Sequence, residues 1–182
     1  MTDSSSTCAC RTPAAFNTYR CEMCGLRRRE FGPQARNGPD TIIETEAGGF
    51  LIADLEAVAH HAGNADWWID DEDALKALQE GEAYFALMGA DDFYALDVII
   101  AQEPRDVDFV ISTPSRVVTV AAVERASDLE ELAESNDGFV ARVSTDVTGV
   151  EVRMLDSSHI EVVLSPTRRS SAANDVDKLP ML

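Results

Sequence analysis

Two stretches of the chain, EDALKALQEGEAYFALMGADD at 72–92 and SDLEELAESNDGFVARVSTDV at 127–147, follow one pattern at an offset of 55 residues. Each begins with an aspartate that suits a helix start, continues through leucines at helical spacing and an acidic turn, and then opens a strand with an aromatic residue. The aligned positions are Asp73 with Asp128, Tyr84 with Phe139, Ala86 with Ala141, and Asp91 with Asp146. The repetition predicts two units with the same order of elements.

Extending the alignment in both directions gives an α+β body over 41–166, with repeats at 67–112 and 117–165. Each repeat reads as a βαβββ unit whose antiparallel sheet packs a helix on one face. Trp67-Trp68-Ile69 supplies the leading strand of the first unit, and a strand beginning at Val117 leads the second. Identities are few, so shared secondary structure without duplication is the alternative explanation of the match.

The segments on either side of the repeats are simpler. TIIET at 41–45 reads as a strand. Apolar residues from Leu51 to Ala59 keep a helical period, which predicts a helix ending near Gly63. The polar composition of 168–177 predicts a flexible tail over 167–182, whose apolar end, KLPML at 178–182, either docks on a neighbour or frays.

The composition excludes two classes of protein. With 45% hydrophobic and 26% charged residues over 182 positions, the chain can form one core with a small appendage, so wholesale disorder is excluded. No apolar run reaches the roughly 20 residues that a membrane-spanning helix needs. The first residues are polar and show no signal peptide. We therefore expect no membrane partner and a location in a high-salt cytoplasm or in a virion.

Charge is distributed very unevenly along the chain. The net charge is −18, but residues 1–36 carry six arginines and three acids, whereas the remainder carries nine basic and thirty acidic residues. Only Lys76 and Lys178 are lysines. An acidic, lysine-poor surface resembles that of haloarchaeal proteins, although an acidic protein from a high-GC organism would also prefer arginine. At molar salt the screening length is about 3 Å, which weakens long-range attraction to nucleic-acid phosphates.

All four cysteines fall within the first 24 residues, in the pattern Cys-x-Cys, ten residues, Cys-x-x-Cys-Gly. Two closely spaced pairs of thiolates suit a tetrahedral structural zinc ion, and the segment resembles zinc ribbons over about 20 residues. The metal ligands are then Cys8, Cys10, Cys21 and Cys24. Two disulfides, a redox dithiol and an iron–sulfur cluster are the alternatives. Four thiolates leave no open position for catalysis by the zinc ion.

This zinc-binding arm (1–29) is joined to the body by a Pro- and Gly-rich linker, EFGPQARNGPD at 30–40. Three consecutive arginines, Arg27, Arg28 and Arg29, follow the second cysteine pair, and Phe16 and Tyr19 lie between the pairs. Basic and aromatic residues beside a zinc module are typical of nucleic-acid contacts. The alternative, which we favour, is that the arginines pair with the acidic body or the thiolates.

Several other residues could carry chemistry, but none forms a recognised motif. His60 and His61 are adjacent on the predicted helix, so we expect their side chains to diverge rather than hold one metal, and a site with Asp54 or Glu56 is the weaker reading. The acidic run at 70–73 suits a helix N-terminus better than a calcium loop. Trp67 and Trp68 are partner-contact candidates, because adjacent strand residues face opposite sides and one of the two would be exposed. The alternative is that they form a wide hydrophobic interface between the two halves of the body.

No phosphate-binding loop or nucleophile elbow is found, which favours a protein without enzymatic activity. We expect a zinc-stabilised binding or assembly protein that works in a larger protein complex of a halophile or its virus. A regulator that contacts DNA or RNA through the cysteine module and Arg27–Arg29 is the second hypothesis. An enzyme with an unrecognised site is the third.

Overall fold

The computed structural model describes residues 41–64, 67–89, 92–128, 131–132 and 138–182. The strands are β1 (Thr41–Thr45), β2 (Gly49–Ala53), β3 (Ala83–Leu87), β4 (Asp92–Ile100), β5 (Phe109–Ser112), β6 (Val117–Ala122), β7 (Phe139–Arg142), β8 (Val147–Asp156) and β9 (His159–Pro166). Among the described residues, α1 (Asp71–Glu80) is an α-helix, residues 131–132 are also helical, and 3₁₀ turns cover Ala59–His61 and Val123–Ser127. The predicted α+β class is confirmed. In the described ranges no helix is long and apolar enough to cross a bilayer.

The strands form two sheets, a five-stranded one in the order β1-β4-β9-β8-β5 and a four-stranded one in the order β3-β2-β6-β7. All neighbours are antiparallel except β4 and β9. If β1, β2, β3 and β4 exchange places with β5, β6, β7 and β8 in that order, each sheet shows its original strand order read from the opposite edge. β9 stays at the centre of the five-stranded sheet. Tyr84 pairs with Ile52, Phe139 pairs with Val120, and Ile52 pairs with Val120. The two aromatics aligned in the sequence therefore occupy equivalent places.

Two local predictions are wrong. Residues 67–69 form a turn, so Trp67-Trp68-Ile69 is not a strand. The segment from Leu51 onward begins in strand β2 and continues through a turn and the 3₁₀ turn, not through an α-helix. The cause is the position of β2 in the sheet: GFLIA lies between β3 and β6 and is buried at all five positions, which produces a continuous apolar run that a helix could also show.

Alternate residues of the four-stranded sheet serve two cores, because successive strand side chains point to opposite faces. Phe50 and Ile52 join the core between the two sheets, where they meet residues such as Leu96. Leu51 and Phe85 join a second core on the outer face of the four-stranded sheet. That face is covered by α1 and the turn before it, so the layers run five-stranded sheet, four-stranded sheet, helix.

The ends of α1 are fixed by local chemistry. The Asp70 carboxylate accepts hydrogen bonds from the backbone N–H groups of Glu72 and Asp73, at 2.8 and 3.3 Å. The helix ends at Gly81, whose φ of +69° favours glycine. A Cβ at Gly81 would also lie 1.8 Å from the carbonyl oxygen of Ala172, so the C-terminal segment packs tightly against this end of the helix.

Residues 174–182, for which the composition suggests flexibility, make specific contacts with the body. The Asn174 side chain is 6% exposed, accepts from the Val110 N–H at 2.8 Å and donates to the carbonyl oxygens of Leu78 and Val110. The N–H of Leu87 donates to Pro180 and that of Leu182 donates to Leu87, each at 3.0 Å, which extends the edge of β3. Backbone pairing and one buried amide attach this segment, and Val176, Leu179 and Leu182 also pack against the core between the sheets.

Candidate functional site

The residues that the sequence marks as candidates fall into two groups. Cys8, Cys10, Cys21 and Cys24, with Phe16, Tyr19 and Arg27–Arg29, lie outside the described residues. Trp67 is 1% exposed and its indole N–H donates to the Ala126 carbonyl oxygen at 3.0 Å, so it packs the core instead of facing a partner. Trp68 is half-buried, and its indole N–H donates to Ser127 Oγ at 2.7 Å. Trp67 is therefore a core residue, whereas a partner contact through Trp68 stays a prediction.

The outer face of the five-stranded sheet is a different kind of surface. Ile43, Tyr94 and Leu96 point into the core, and the alternate residues of the same strands point outward. We call nine outward residues of β1, β4, β8 and β9 the open face: Ile42, Glu44, Phe93, Ala95, Asp97, Glu151, Arg153, His159 and Glu161. Val163 on β9 has the same orientation but is buried, so it is not included. Ile42 and Phe93 are 61% and 56% exposed.

The apolar part of the open face lies where β1 and β4 pair. Ile42 is opposite Ala95 and Phe93 is opposite Glu44, so Ile42 and Phe93 are diagonal neighbours across the two strands. β1 is an edge strand, and the patch therefore reaches the rim of the sheet. Exposed apolar side chains grouped in this way are typical of protein contacts rather than of ordinary surface.

The polar part of the open face consists of charge pairs on β4, β8 and β9. Asp97 Oδ2 lies 3.1 Å from His159 Nε2, while Asp97 Oδ1 is inaccessible and has no hydrogen-bond partner among the described residues. Glu151 lies 3.0 Å from Arg105 and 3.1 Å from Arg153. Burial raises the pKa of the Glu151 carboxyl, but the hydrogen bonds and charges of the two arginines outweigh burial and lower the pKa overall.

The Asp97–His159 pair does not form a catalytic triad in the described part of the chain. A triad needs a nucleophile within hydrogen-bond reach of the imidazole. The hydrogen bonds of the described residues give His159 no serine or threonine partner, and the sequence holds no cysteine beyond Cys24. The arrangement is better suited to binding than to acyl transfer.

A second group of titratable residues lies on the other side of the molecule. His60 Nε2 is 3.3 Å from Glu82 Oε1, and His61 Nε2 is 3.1 Å from Glu82 Oε2. The two imidazole rings are 4.0 Å apart between centroids. The expectation that adjacent histidines diverge is wrong, because the chain leaves the 3₁₀ turn at His61 and both rings turn toward the same carboxylate.

Asp54, one of the two carboxylates considered for a histidine site, the other being Glu56, has a structural role. It is fully buried and accepts hydrogen bonds from the N–H and the hydroxyl of Ser115, at 2.8 Å each, and from the Glu56 N–H at 3.0 Å. These bonds join the turn after β2 to the turn before β6. A carboxylate satisfied in this way is not available as a metal ligand.

Similarity to known proteins gives the family of the chain. The sequence profile described as "Family of unknown function (DUF6386)" matches residues 39–179. The chain belongs to the DUF6386 family. The DUF6386 match spans the two-sheet body and starts after all four cysteines. No curated protein matches the chain. The solved structure titled "Crocagin biosynthetic gene J" aligns with a TM-score of 0.49 at 13% identity, over 70% of this chain and 96% of that chain.

Neither the open face nor the grouping of His60 and His61 with Glu82 could be predicted from the sequence, and the structure shows why. The open face depends on which strands lie in which sheet, and period-two alternation in β4 does not tell which side is covered. Glu82 stands 21 residues from His61 and directly after a helix end, where nothing local marks it as a ligand. The adjacent histidines were the one visible signal, but their convergence depends on how the chain bends after His61.

Proposed function

We propose that this chain is a non-enzymatic binding or assembly protein that acts within a larger protein complex of a halophile or its virus. Its N-terminal arm is stabilised by zinc bound to Cys8, Cys10, Cys21 and Cys24. The body presents the open face to a protein partner. The single observation that carries the proposal is the exposure of Ile42 and Phe93 as neighbours on an otherwise regular, well-packed sheet.

The contrast with the rest of the surface supports this choice. The four-stranded sheet covers its outer face with a helix and a buried tryptophan, but the five-stranded sheet leaves large side chains in water. Burying an apolar side chain stabilises by about 1.5–3 kcal/mol, so two exposed neighbours offer a partner a useful part of its binding energy. Aromatic residues such as Phe93 are enriched at the centres of protein interfaces.

Charge identifies the chemistry of the partner. Carboxylates lie on both sides of the apolar pair: Glu44 is opposite Phe93, and Asp97 is two residues beyond Ala95, the residue opposite Ile42. The chain beyond residue 36 carries thirty acids and nine bases. Complementary potentials select a protein surface with an apolar centre and an arginine- or lysine-rich rim. A nucleic acid would be repelled by this face.

Two further features of the proposal concern chain organisation. The DUF6386 match begins at residue 39, near the end of the Pro- and Gly-rich linker 30–40, which supports an arm (1–29) attached to a separate body. The exchangeable strand orders support a duplicated unit within that body, but as ββαββ rather than βαβββ, because β1 and β5 take equivalent positions.

The partner interaction is tested by affinity purification at native salt with three matched chains. We expect the wild type to recover a defined set of proteins, Ile42→Ser/Phe93→Ser to lose them, and Ile69→Ser to retain them. Ile69 is the control because it is 58% exposed but lies outside the open face. Equal recovery by the double variant, or equal loss with Ile69→Ser, would contradict the proposal. Recovery of nucleic acid that disappears in an Arg27→Ala/Arg28→Ala/Arg29→Ala variant would favour the regulator instead.

The arm is tested through its metal. In chain prepared under reducing conditions, we expect Cys21→Ser to lower the zinc content by one ion per chain, because three thiolates no longer complete the tetrahedron. The body supplies its own cores and should still melt cooperatively. Elemental analysis with a thermal melt measures both. Oxidised cysteines with no loss of zinc would rule out the arm's metal site.

A further inference from the structure

We propose that His60, His61 and Glu82 form a second metal site, separate from the cysteine arm, for a divalent transition metal such as Zn²⁺. The ligand atoms of the three side chains all lie within 4.8 Å of one another. The three residues come from two segments, the 3₁₀ turn after β2 and the residue that follows the C-cap of α1. A bound ion would therefore join the middle of the β2–α1 connection to the C-terminal end of α1.

The distances suit an ion of this size. Two ligands about 2.0–2.1 Å from a tetrahedral zinc ion lie roughly 3.3 Å apart. His60 Nε2 lies 3.3 Å from Glu82 Oε1 and His61 Nε2 lies 3.1 Å from Glu82 Oε2, so each imidazole is at this spacing from one carboxylate oxygen, and the ion would be held by a carboxylate that uses both oxygens. In the metal-free chain a proton on either Nε2 can bridge each pair to the carboxylate. A metal ion would take the place of these protons, and each neutral imidazole bound through Nε2 would then carry its proton on Nδ1.

Two of the three ligands are held in place by the surrounding structure. The His61 ring stacks on Trp67 at 4.1 Å with an interplanar angle of 7°, and Trp67 itself is fixed by its hydrogen bond to Ala126. The backbone N–H of Glu82 donates to the Ala77 carbonyl oxygen at 2.8 Å, which closes the end of α1. Ligands that are already positioned lose little conformational freedom on binding an ion.

The donor set decides which metals would bind. Two imidazoles and one carboxylate favour Zn²⁺, Ni²⁺, Co²⁺ or Fe²⁺ over Mg²⁺ and Ca²⁺, which prefer oxygen ligands. Three protein ligands leave at least one coordination position open, unlike a four-cysteine site. The His60 side chain is 56% exposed, against 18% for His61, so an ion would be accessible from solvent on the His60 side.

The alternative is that the three residues are only an ion-pair cluster of protonated histidines. The molecule contains an internal control for this, because His159 and Asp97 make the same kind of contact at 3.1 Å with a single histidine. If proximity of histidine and carboxylate were sufficient, both places would bind metal. If the complete ligand set is required, only the His60–His61–Glu82 site would bind it.

The experiment uses the full chain with Cys8, Cys10, Cys21 and Cys24 changed to serine, titrated with Zn²⁺ and with Mg²⁺ by calorimetry. We expect one Zn²⁺ per chain and no response to Mg²⁺. His60→Gln and Glu82→Gln should each weaken zinc binding by at least about 100-fold, more than the loss of an outer-shell partner. His159→Gln should bind zinc as tightly as its parent. Circular dichroism confirms that each variant is folded.

A second measurement tests the proposal if the variant with four cysteine-to-serine changes does not fold. Co²⁺ is added to the wild-type chain and to His60→Gln, and the absorption spectra are compared. Thiolate ligands give charge-transfer absorption, whereas histidine and carboxylate ligands give d–d bands alone. We expect His60→Gln to lose d–d intensity and to keep the charge-transfer band. Identical spectra, or zinc binding that falls equally in His159→Gln, would overturn the proposal.

Discussion

The outer faces of the two sheets differ although both belong to one body. On the four-stranded sheet, Phe85 is 2% exposed and packs edge-on against Trp67, with ring centroids 5.3 Å apart. On the five-stranded sheet, Phe93 is 56% exposed. The first face is covered by the chain's own helix layer and stabilises the fold. The second contributes little to folding, and its apolar residues remain available to a partner.

The largest expected effect is a difference in stability when the same substitution, phenylalanine to alanine, is made on each of the two faces. Phe85→Ala should lower the free energy of unfolding by about 3–5 kcal/mol, because it leaves a cavity beside Trp67. Phe93→Ala should change it by no more than about 0.5 kcal/mol, as expected for an exposed residue. Denaturant unfolding of both variants measures the difference. Similar losses for the two variants would mean that the open face is part of the core.

Salt should affect the whole acidic body. With thirty acids against nine bases beyond residue 36, self-repulsion is strong in dilute buffer. The screening length falls from about 10 Å at 0.1 M salt to about 3 Å at 1 M, so the melting temperature should rise over this range. Thermal melts in increasing KCl measure it. A melting temperature that does not change with KCl would remove the argument for a halophilic protein.

The smallest effect concerns the charged part of the open face. The arginines lower the folded-state pKa of Glu151 below the value of about 4.3 for an unfolded chain. Their contribution to stability is therefore present above that pH and is lost as the pH falls through the folded-state pKa. Glu151→Gln should remove about 0.5–1 kcal/mol at pH 7 and little at pH 3. Unfolding at both pH values measures this, with Glu44→Gln on the same face as a control.

Some elements of the two sheets could be predicted from the sequence, and others could not. The offset of 55 residues predicts the shared placement of Tyr84 and Phe139, because those residues face the same core. The helix start at Asp70 and its end at Gly81 follow from capping chemistry. The sequence does not show which strands pair with each other. β2 resembled a helix because both its faces are buried, which gives a continuous apolar run. The open face forms only when β4 and β9 pair in one sheet.

The candidate sites were harder to predict for the same reason. Closely spaced cysteines signal a metal site within one segment. His60, His61 and Glu82 meet because α1 ends at Gly81 beside the turn after β2. Residues brought together by the fold over this distance in the chain have no fixed spacing that the sequence could reveal. Phe93 and Ile42 become neighbours only through the pairing of β1 with β4.

Hydroxyl-radical footprinting of the purified chain and of its native complex tests the central claim most directly. In the free chain, Ile42, Phe93, Ile69 and Met181 should all react, because they are 61%, 56%, 58% and 75% exposed. In the complex we expect the reactivity of Ile42 and Phe93 to fall several-fold and that of Ile69 and Met181 to stay unchanged. If Ile42 and Phe93 react in the complex as they do in the free chain, the open face is not the surface that binds the partner.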